Sequence, residues 1–131
     1  MKKVLLVEDD PVQIKLISFV LNKQGAEVRH TREVAEGISI AREWQPDLVI
    51  SDIGLNNKPR IIGTMDDEGL LFVEAVKNDE KTKNIPLILL SASPLGYFDK
   101  TLADVRADKW LSKPLDLDAL EATTGEYICT S

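Results

Sequence analysis

Cysteine is almost missing from this chain: Cys129, near the end of 131 residues, is the only one. A single thiol excludes an internal disulfide and matches no metal-ligand spacing, so Cys129 reads as an inert terminal thiol in a reducing compartment. Basic clusters are also lacking. Sixteen Lys and Arg stand against twenty-two Asp and Glu, a net charge of -6, and no basic run exceeds Lys2-Lys3. The phosphate backbone of a nucleic acid therefore finds no electrostatic footprint. Long hydrophobic runs are absent too. The apolar opening stops at Glu8, short of the about 7–15 residues a signal peptide needs, and no other stretch approaches a membrane span. The protein is expected to be cytoplasmic, with neither a membrane nor a nucleic acid as direct partner.

What is present is an ordinary globular composition, 44% hydrophobic, in a length that suits one domain spanning 1–131. Five short apolar or β-branched runs stand out, at 4–7, 26–30, 47–51, 87–91 and 108–112. Helix-period segments lie between and after them. In the first, Ile14, Ile17 and Leu21 share a stripe, with Pro11 suited to the first turn, Asp10 to the cap and Gly25 to the stop. The second carries Val34, Ile38 and Ala41 and ends before Pro46, with Trp44 on its stripe as a core or interface anchor. Phe72, Val73 and Val76 mark the third; Phe98, Leu102 and Val105 mark a weaker fourth. In the last, Leu117, Leu120 and Thr124 lead to Tyr127 and Ile128 across Gly125, where the helix is expected to fray.

Strand and helix thus alternate five times, the pattern of a parallel sheet covered by helices on both faces. Runs 4–7 and 87–90 are almost continuously apolar, as two-sided burial demands, whereas 26–30 alternates and belongs at an edge. The connection 54–69 between the third strand and third helix is longer than the usual ~2–6 residues. Its acidic stretch 64–69 reads as solvated surface, with a partner-specific lid as the alternative.

Open α/β sheets bind ligands beyond the carboxyl ends of their strands. Standing there are Glu8 and Asp9 after the first strand, Asp52 ending the third, Ser91 ending the fourth, and Lys113-Pro114 after the fifth. Two carboxylates about 4 Å apart repel by about 4 kcal/mol at an effective dielectric near 20, so three of them call for a cation. Hard carboxylate oxygens with room for water suit Mg²⁺, with Mn²⁺ as a substitute. Such a site beside a hydroxyl and an amine is arranged for phosphoryl transfer. Asp52 would be the nucleophile, Lys113 and the cation would neutralise the transferred oxygens, and Ser91 would donate a hydrogen bond to one of them. His30, the sole histidine, sits in the expected edge strand away from this rim. The phosphoryl donor is therefore another protein or a small molecule.

The stretches VLLVEDD, PDLVISD, PLILLSA and WLSKP, each at a strand end, together resemble the receiver domain of two-component response regulators over essentially the whole chain. That resemblance implies a flavodoxin-like (βα)5 fold of sheet order 2-1-3-4-5. It assigns Asp52 as phospho-acceptor, with Glu8, Asp9, Asp52 and the backbone carbonyl of Gly54 holding Mg²⁺. Ser91 and Trp110 take the switch positions, Lys113 binds the phosphoryl group, and the Lys113-Pro114 bond is cis. The chain departs from the family pattern in four places. Leu55-Asn56 replaces Leu-Pro, Glu68-Gly69 replaces a nearer Asp-Gly pair, Trp110 stands where Tyr or Phe is usual, and Arg106 stands in place of a glycine. None removes a catalytic group.

The expectation is a stand-alone receiver of a two-component or phosphorelay system. It would catalyse only its own phosphorylation and dephosphorylation, taking the phosphoryl group from a histidine kinase or histidine phosphotransfer protein. With no length left for an output domain, its output would be contact with a downstream protein, although a fragment of a larger regulator would read the same way. Two rivals differ in class. One is a receiver-shaped interaction scaffold independent of phosphorylation, disfavoured by the complete set of acids and lysine. The other is a Mg²⁺-dependent phosphatase, which needs a second acid near its nucleophile where this chain has Gly54.

Overall fold

A computed structural model describes residues 2–52, 68–91, 108–112 and 116–128. The elements follow as β1 (Lys3–Val7), α1 (Pro11–Lys23), β2 (Glu27–Thr31), α2 (Val34–Trp44), β3 (Leu48–Asp52), α3 (Glu68–Asn78), β4 (Leu87–Ser91), β5 (Lys109–Ser112) and α4 (Leu117–Ile128). All five strands are parallel, in the order β2-β1-β3-β4-β5. The fourth expected helical segment, with Phe98, Leu102 and Val105, lies outside the described residues, as does most of the 54–69 connection. Its last two residues, Glu68 and Gly69, already belong to α3.

Alternation along the central strands separates two cores. Leu5, Val7, Val49, Leu87 and Leu89 pack with Ala41 of α2 and with Phe72, Val73 and Val76 of α3. Val4, Leu6, Leu48, Ile50, Ile88 and Leu90 pack with Ile14, Ile17 and Leu21 of α1 and with Leu120 and Ile128 of α4. Successive strand residues point to opposite faces, so a run such as Val4–Val7 must be apolar throughout when both faces are covered. Among the described residues the edge strand β2 pairs only with β1 and buries little besides Thr31, in keeping with its alternating sequence.

The helix ends follow local chemistry. Asp10 caps α1 by accepting from the Val12 amide at 2.9 Å, with Pro11 at the first helical position. At the other end Ala26 N–H donates to Leu21 O and Gly25 N–H to Asn22 O, both at 3.0 Å, with Gly25 at φ +89°. That double closure requires a left-handed residue, which glycine supplies without steric cost. Trp44 closes α2 half-buried, its ring flanked by the Arg29 guanidinium at 4.5 Å and the Lys3 ammonium at 5.5 Å. It anchors the amino end of the sheet through cations rather than through apolar neighbours alone.

Two expectations for α4 are corrected. The helix runs unbroken through Gly125 to Ile128, because tertiary bonds offset the glycine's entropic cost. Gln24, just past α1, donates from Nε2 to Glu121 O at 2.8 Å and accepts from the Thr124 hydroxyl at 2.9 Å. Leu117 is 39% exposed, since the buried stripe is Leu120, Thr124 and Ile128 and leaves the first helical residue at the rim. Among the described residues no helix is long and apolar enough to cross a membrane.

Candidate metal centre at the carboxyl edge of the sheet

The register of β1 on β3 pairs Val7 with Ser51, so the next residues, Glu8 and Asp52, stand side by side at the carboxyl edge of the sheet. Glu8 extends the β1–β2 ladder, its amide donating to Thr31 O at 3.1 Å. Its side chain is wholly buried, and Oε1 accepts from the amides of Asp9 at 3.1 Å and Asp10 at 3.2 Å. Asp52 is 5% exposed and Asp9 half-buried. One carboxylate oxygen from each of Glu8, Asp9 and Asp52 lies within 4.8 Å of the others. The three acids that sequence placed at two separate strand ends are one cluster.

The donor set fits a hard divalent cation. Three carboxylates this close repel strongly in a partly dry site, and a doubly charged ion relieves that repulsion while using oxygen donors only. Glu8 and Asp52 are buried, and the half-exposed Asp9 keeps the cluster in contact with solvent. That combination suits Mg²⁺, which retains several waters, better than a fully enclosed cage. Asp10 stays apart from the cluster as the α1 cap.

The other rim residues are placed less completely. Ser91 ends β4 and pairs with Ser112, the last residue of β5. Trp110 lies in β5 opposite Leu89. Lys113, Pro114 and Gly54 lie outside the described residues. His30 is exposed in the edge strand, in register with Leu6, below the level of the carboxylates.

Three features were not read from sequence. Val12 (62% exposed) and Phe19 (67%) line an outer stripe of α1 together with Leu16 (38%). Their i, i+4, i+7 spacing was legible as a second apolar stripe, offset from Ile14, Ile17 and Leu21. Lys77 is nearly buried and donates to Ile85 O at 2.8 Å and to Asp108 Oδ2 at 3.0 Å, and the same carboxylate oxygen accepts the Leu87 amide at 2.7 Å. This junction pins the end of α3 to the starts of β4 and β5, and no local pattern announces it. The third is Gln13, whose Oε1 is shut off from solvent and has no hydrogen-bond partner.

Known proteins agree with this architecture. The chain is 28% identical over 127 residues to the polar-differentiation response regulator DivK of Brucella ovis, covering 97% of this chain and 96% of that protein, and matches DivK of Brucella anthropi equally well. Its fold superposes on the chemotaxis response regulator CheY4 of Vibrio cholerae with a TM-score of 0.80 at 26% identity, covering 97% and 98% of the two chains. It superposes equally, at 22% identity and 98% coverage of both, on the receiver domain of a sensor histidine kinase of Pseudomonas aeruginosa PAO1, a structure with a magnesium ion in its active-site cleft. The sequence matches the response regulator receiver domain family over residues 4–124. With that match, the doubly wound order 2-1-3-4-5 and the acidic rim in hand, the chain belongs to the response regulator receiver domains of two-component signalling.

Proposed function

We propose that Asp52 accepts a phosphoryl group from a phosphohistidine of a histidine kinase or histidine phosphotransfer protein in a Mg²⁺-dependent reaction. The observation carrying this reading is the convergence of Glu8, Asp9 and Asp52 within 4.8 Å at the carboxyl edge. A carboxylate oxygen of Asp52 attacks phosphorus as the P–N bond breaks, and the electron pair stays with the donor imidazole, which takes up a proton. Bound between the acids, Mg²⁺ would neutralise charge on the phosphoryl oxygens. Glu8 and Asp9, with Asp52 itself and the Gly54 carbonyl, would hold it. Lys113, aimed by a cis bond to Pro114, would pair with a phosphoryl oxygen, and Ser91 would donate to another. Drawing Ser91 inward would bias 92–107 and Trp110, a local charge change acting on a bistable surface that a downstream protein reads. Such a domain is a cytoplasmic signalling part rather than a classical enzyme, its chemistry limited to gaining and losing its own phosphoryl group.

Incubation with acetyl phosphate, followed by intact mass measurement, tests the reading. A single phosphoryl adduct that needs Mg²⁺ or Mn²⁺ supports it. Absence of adduct at every metal concentration would leave a receiver-shaped scaffold, and rapid turnover of unrelated phosphomonoesters would indicate a phosphatase.

The donor protein must cover the rim to bring its imidazole to Asp52, and the apolar stripe Val12, Leu16, Phe19 starts in the first turn of α1, directly after the acids. An exposed apolar row continuous with a reaction site fits the partner that delivers the reactive group. Phe19→Asp is expected to slow transfer from a cognate phosphorylated donor about tenfold or more, the loss of one buried anchor. Labelling by acetyl phosphate should be unchanged. Equal slowing of both reactions would place the defect in the site instead of the docking face.

A further inference from the structure

Asp10-Pro11-Val12-Gln13 has the spacing of a capping box, in which the cap side chain accepts from the helix while the third helical residue reaches back to the cap's own amide. Only half of that box is closed. Asp10 Oδ1 accepts the Val12 amide at 2.9 Å, but the Asp10 amide donates instead to Glu8 Oε1, at a long 3.2 Å. The Gln13 oxygen that would otherwise take this amide is buried without a partner. By its position three residues after the cap, Gln13 is the side chain that closes such a box onto this amide. Its oxygen is an unsatisfied side-chain carbonyl shut away from water, an arrangement that native structures rarely leave uncompensated.

We propose that the Asp10 amide is handed from Glu8 to Gln13 when a divalent cation engages the Glu8 carboxylate, making Gln13 a positioning residue for the metal centre. The inference rests on the reading of Glu8, Asp9 and Asp52 as the cation site. A cation withdraws electron density from the Glu8 oxygens and weakens them as acceptors, and the Asp10 amide, at 3.2 Å, lies slightly farther from Oε1 than the Asp9 amide at 3.1 Å. Transfer to Gln13 satisfies the buried carbonyl and completes the box. It also releases Glu8 to turn toward the ion. Loading of the metal is thereby coupled to the rigidity of the first turn of α1, where the exposed row of Val12, Leu16 and Phe19 begins.

The test is an amide NMR titration with Mg²⁺ of wild type and Gln13→Met, a substitution of similar length without the acceptor. In wild type the Asp10 amide should shift with Mg²⁺ and exchange more slowly with solvent when the metal is bound. In Gln13→Met the slowing should be lost and Mg²⁺ affinity should fall about five- to tenfold, the upper figure equivalent to about 1.4 kcal/mol. Urea unfolding in EDTA supplies the structural control: Gln13→Met should be no less stable than wild type, since the oxygen it removes is unpaired without metal. Unchanged Mg²⁺ affinity in Gln13→Met overturns the handover while sparing the metal site. Parallel loss of metal-free stability overturns it in favour of a packing role. Failure of wild type to bind Mg²⁺ sinks the site reading and the handover together.

Discussion

Asp52→Asn is expected to abolish the phosphoryl adduct formed with acetyl phosphate and Mg²⁺ while leaving the domain folded. The amide keeps the shape of the side chain but offers no anionic oxygen to attack phosphorus. Neither neighbour should replace it: Glu8 is committed to the amides of Asp9 and Asp10, and Asp9 sits at the solvent side of the cluster. A second readout separates chemistry from folding. With metal removed, the substitution takes one charge from three carboxylates that lie within 4.8 Å of one another. Each close pair of charges repels by about 3–4 kcal/mol at an effective dielectric near 20, and solvent at Asp9 reduces what is recovered. Urea unfolding in EDTA should therefore show Asp52→Asn equal to wild type or up to about 2 kcal/mol more stable, on that Coulombic ground. Added Mg²⁺ should reverse the order, because a ligand that binds only the folded state adds about 2.7 kcal/mol at a hundredfold excess over Kd. An adduct of undiminished yield in Asp52→Asn would remove this residue from the mechanism.

Phe72→Ala is expected to cost about 3–5 kcal/mol, the range for deleting a buried aromatic ring whose cavity cannot collapse. For 131 residues, stability of about 0.05–0.15 kcal/mol per residue makes that a large part of the whole. Collapse is blocked on several sides. Phe72 is fully buried on α3 and packs against the face formed by β1, β3, β4 and α2. Its ring passes so close to α2 that a Cβ built on Gly37 would stand 3.0 Å from Phe72 Cε1 and 3.1 Å from Val7 Cγ2. At Gly37 the helix thus comes close to both α3 and the sheet, a reason for glycine inside a helix despite its poor propensity. Equilibrium urea denaturation measures the loss, and a value under about 1 kcal/mol would mean that the core around the ring relaxes freely. Because Val7 is the last strand residue before Glu8, the same packing holds the acidic rim in place.

Much of this protein is legible in its sequence, and for a local reason. Strand runs, helix stripes, the Asp10-Pro11 start of α1 and its Gly25 stop depend on chain periodicity and on backbone preferences that neighbouring residues carry themselves. The doubly wound sheet follows from their alternation, and Glu8, Asp9 and Asp52 follow from standing at strand ends in such a sheet. Gly125 shows where local reasoning stops. Its propensity predicts fraying, and only Gln24, about a hundred residues earlier, explains the intact helix through its bonds to Glu121 and Thr124. The Lys77–Asp108 junction is equally invisible, since it joins the start of β5 to the far end of α3. The outer row of α1 was visible as spacing, yet that it stays uncovered depends on how every other element packs. So does the half-closed capping box at Asp10, because its spacing was written in the chain and the bond of its amide to Glu8 came from how the β1 end turns into α1. The sequence by itself determined which groups arrive at the rim, since that follows from periodicity. Tertiary structure decided which of them meet, because distances between strands are set by packing across the sheet.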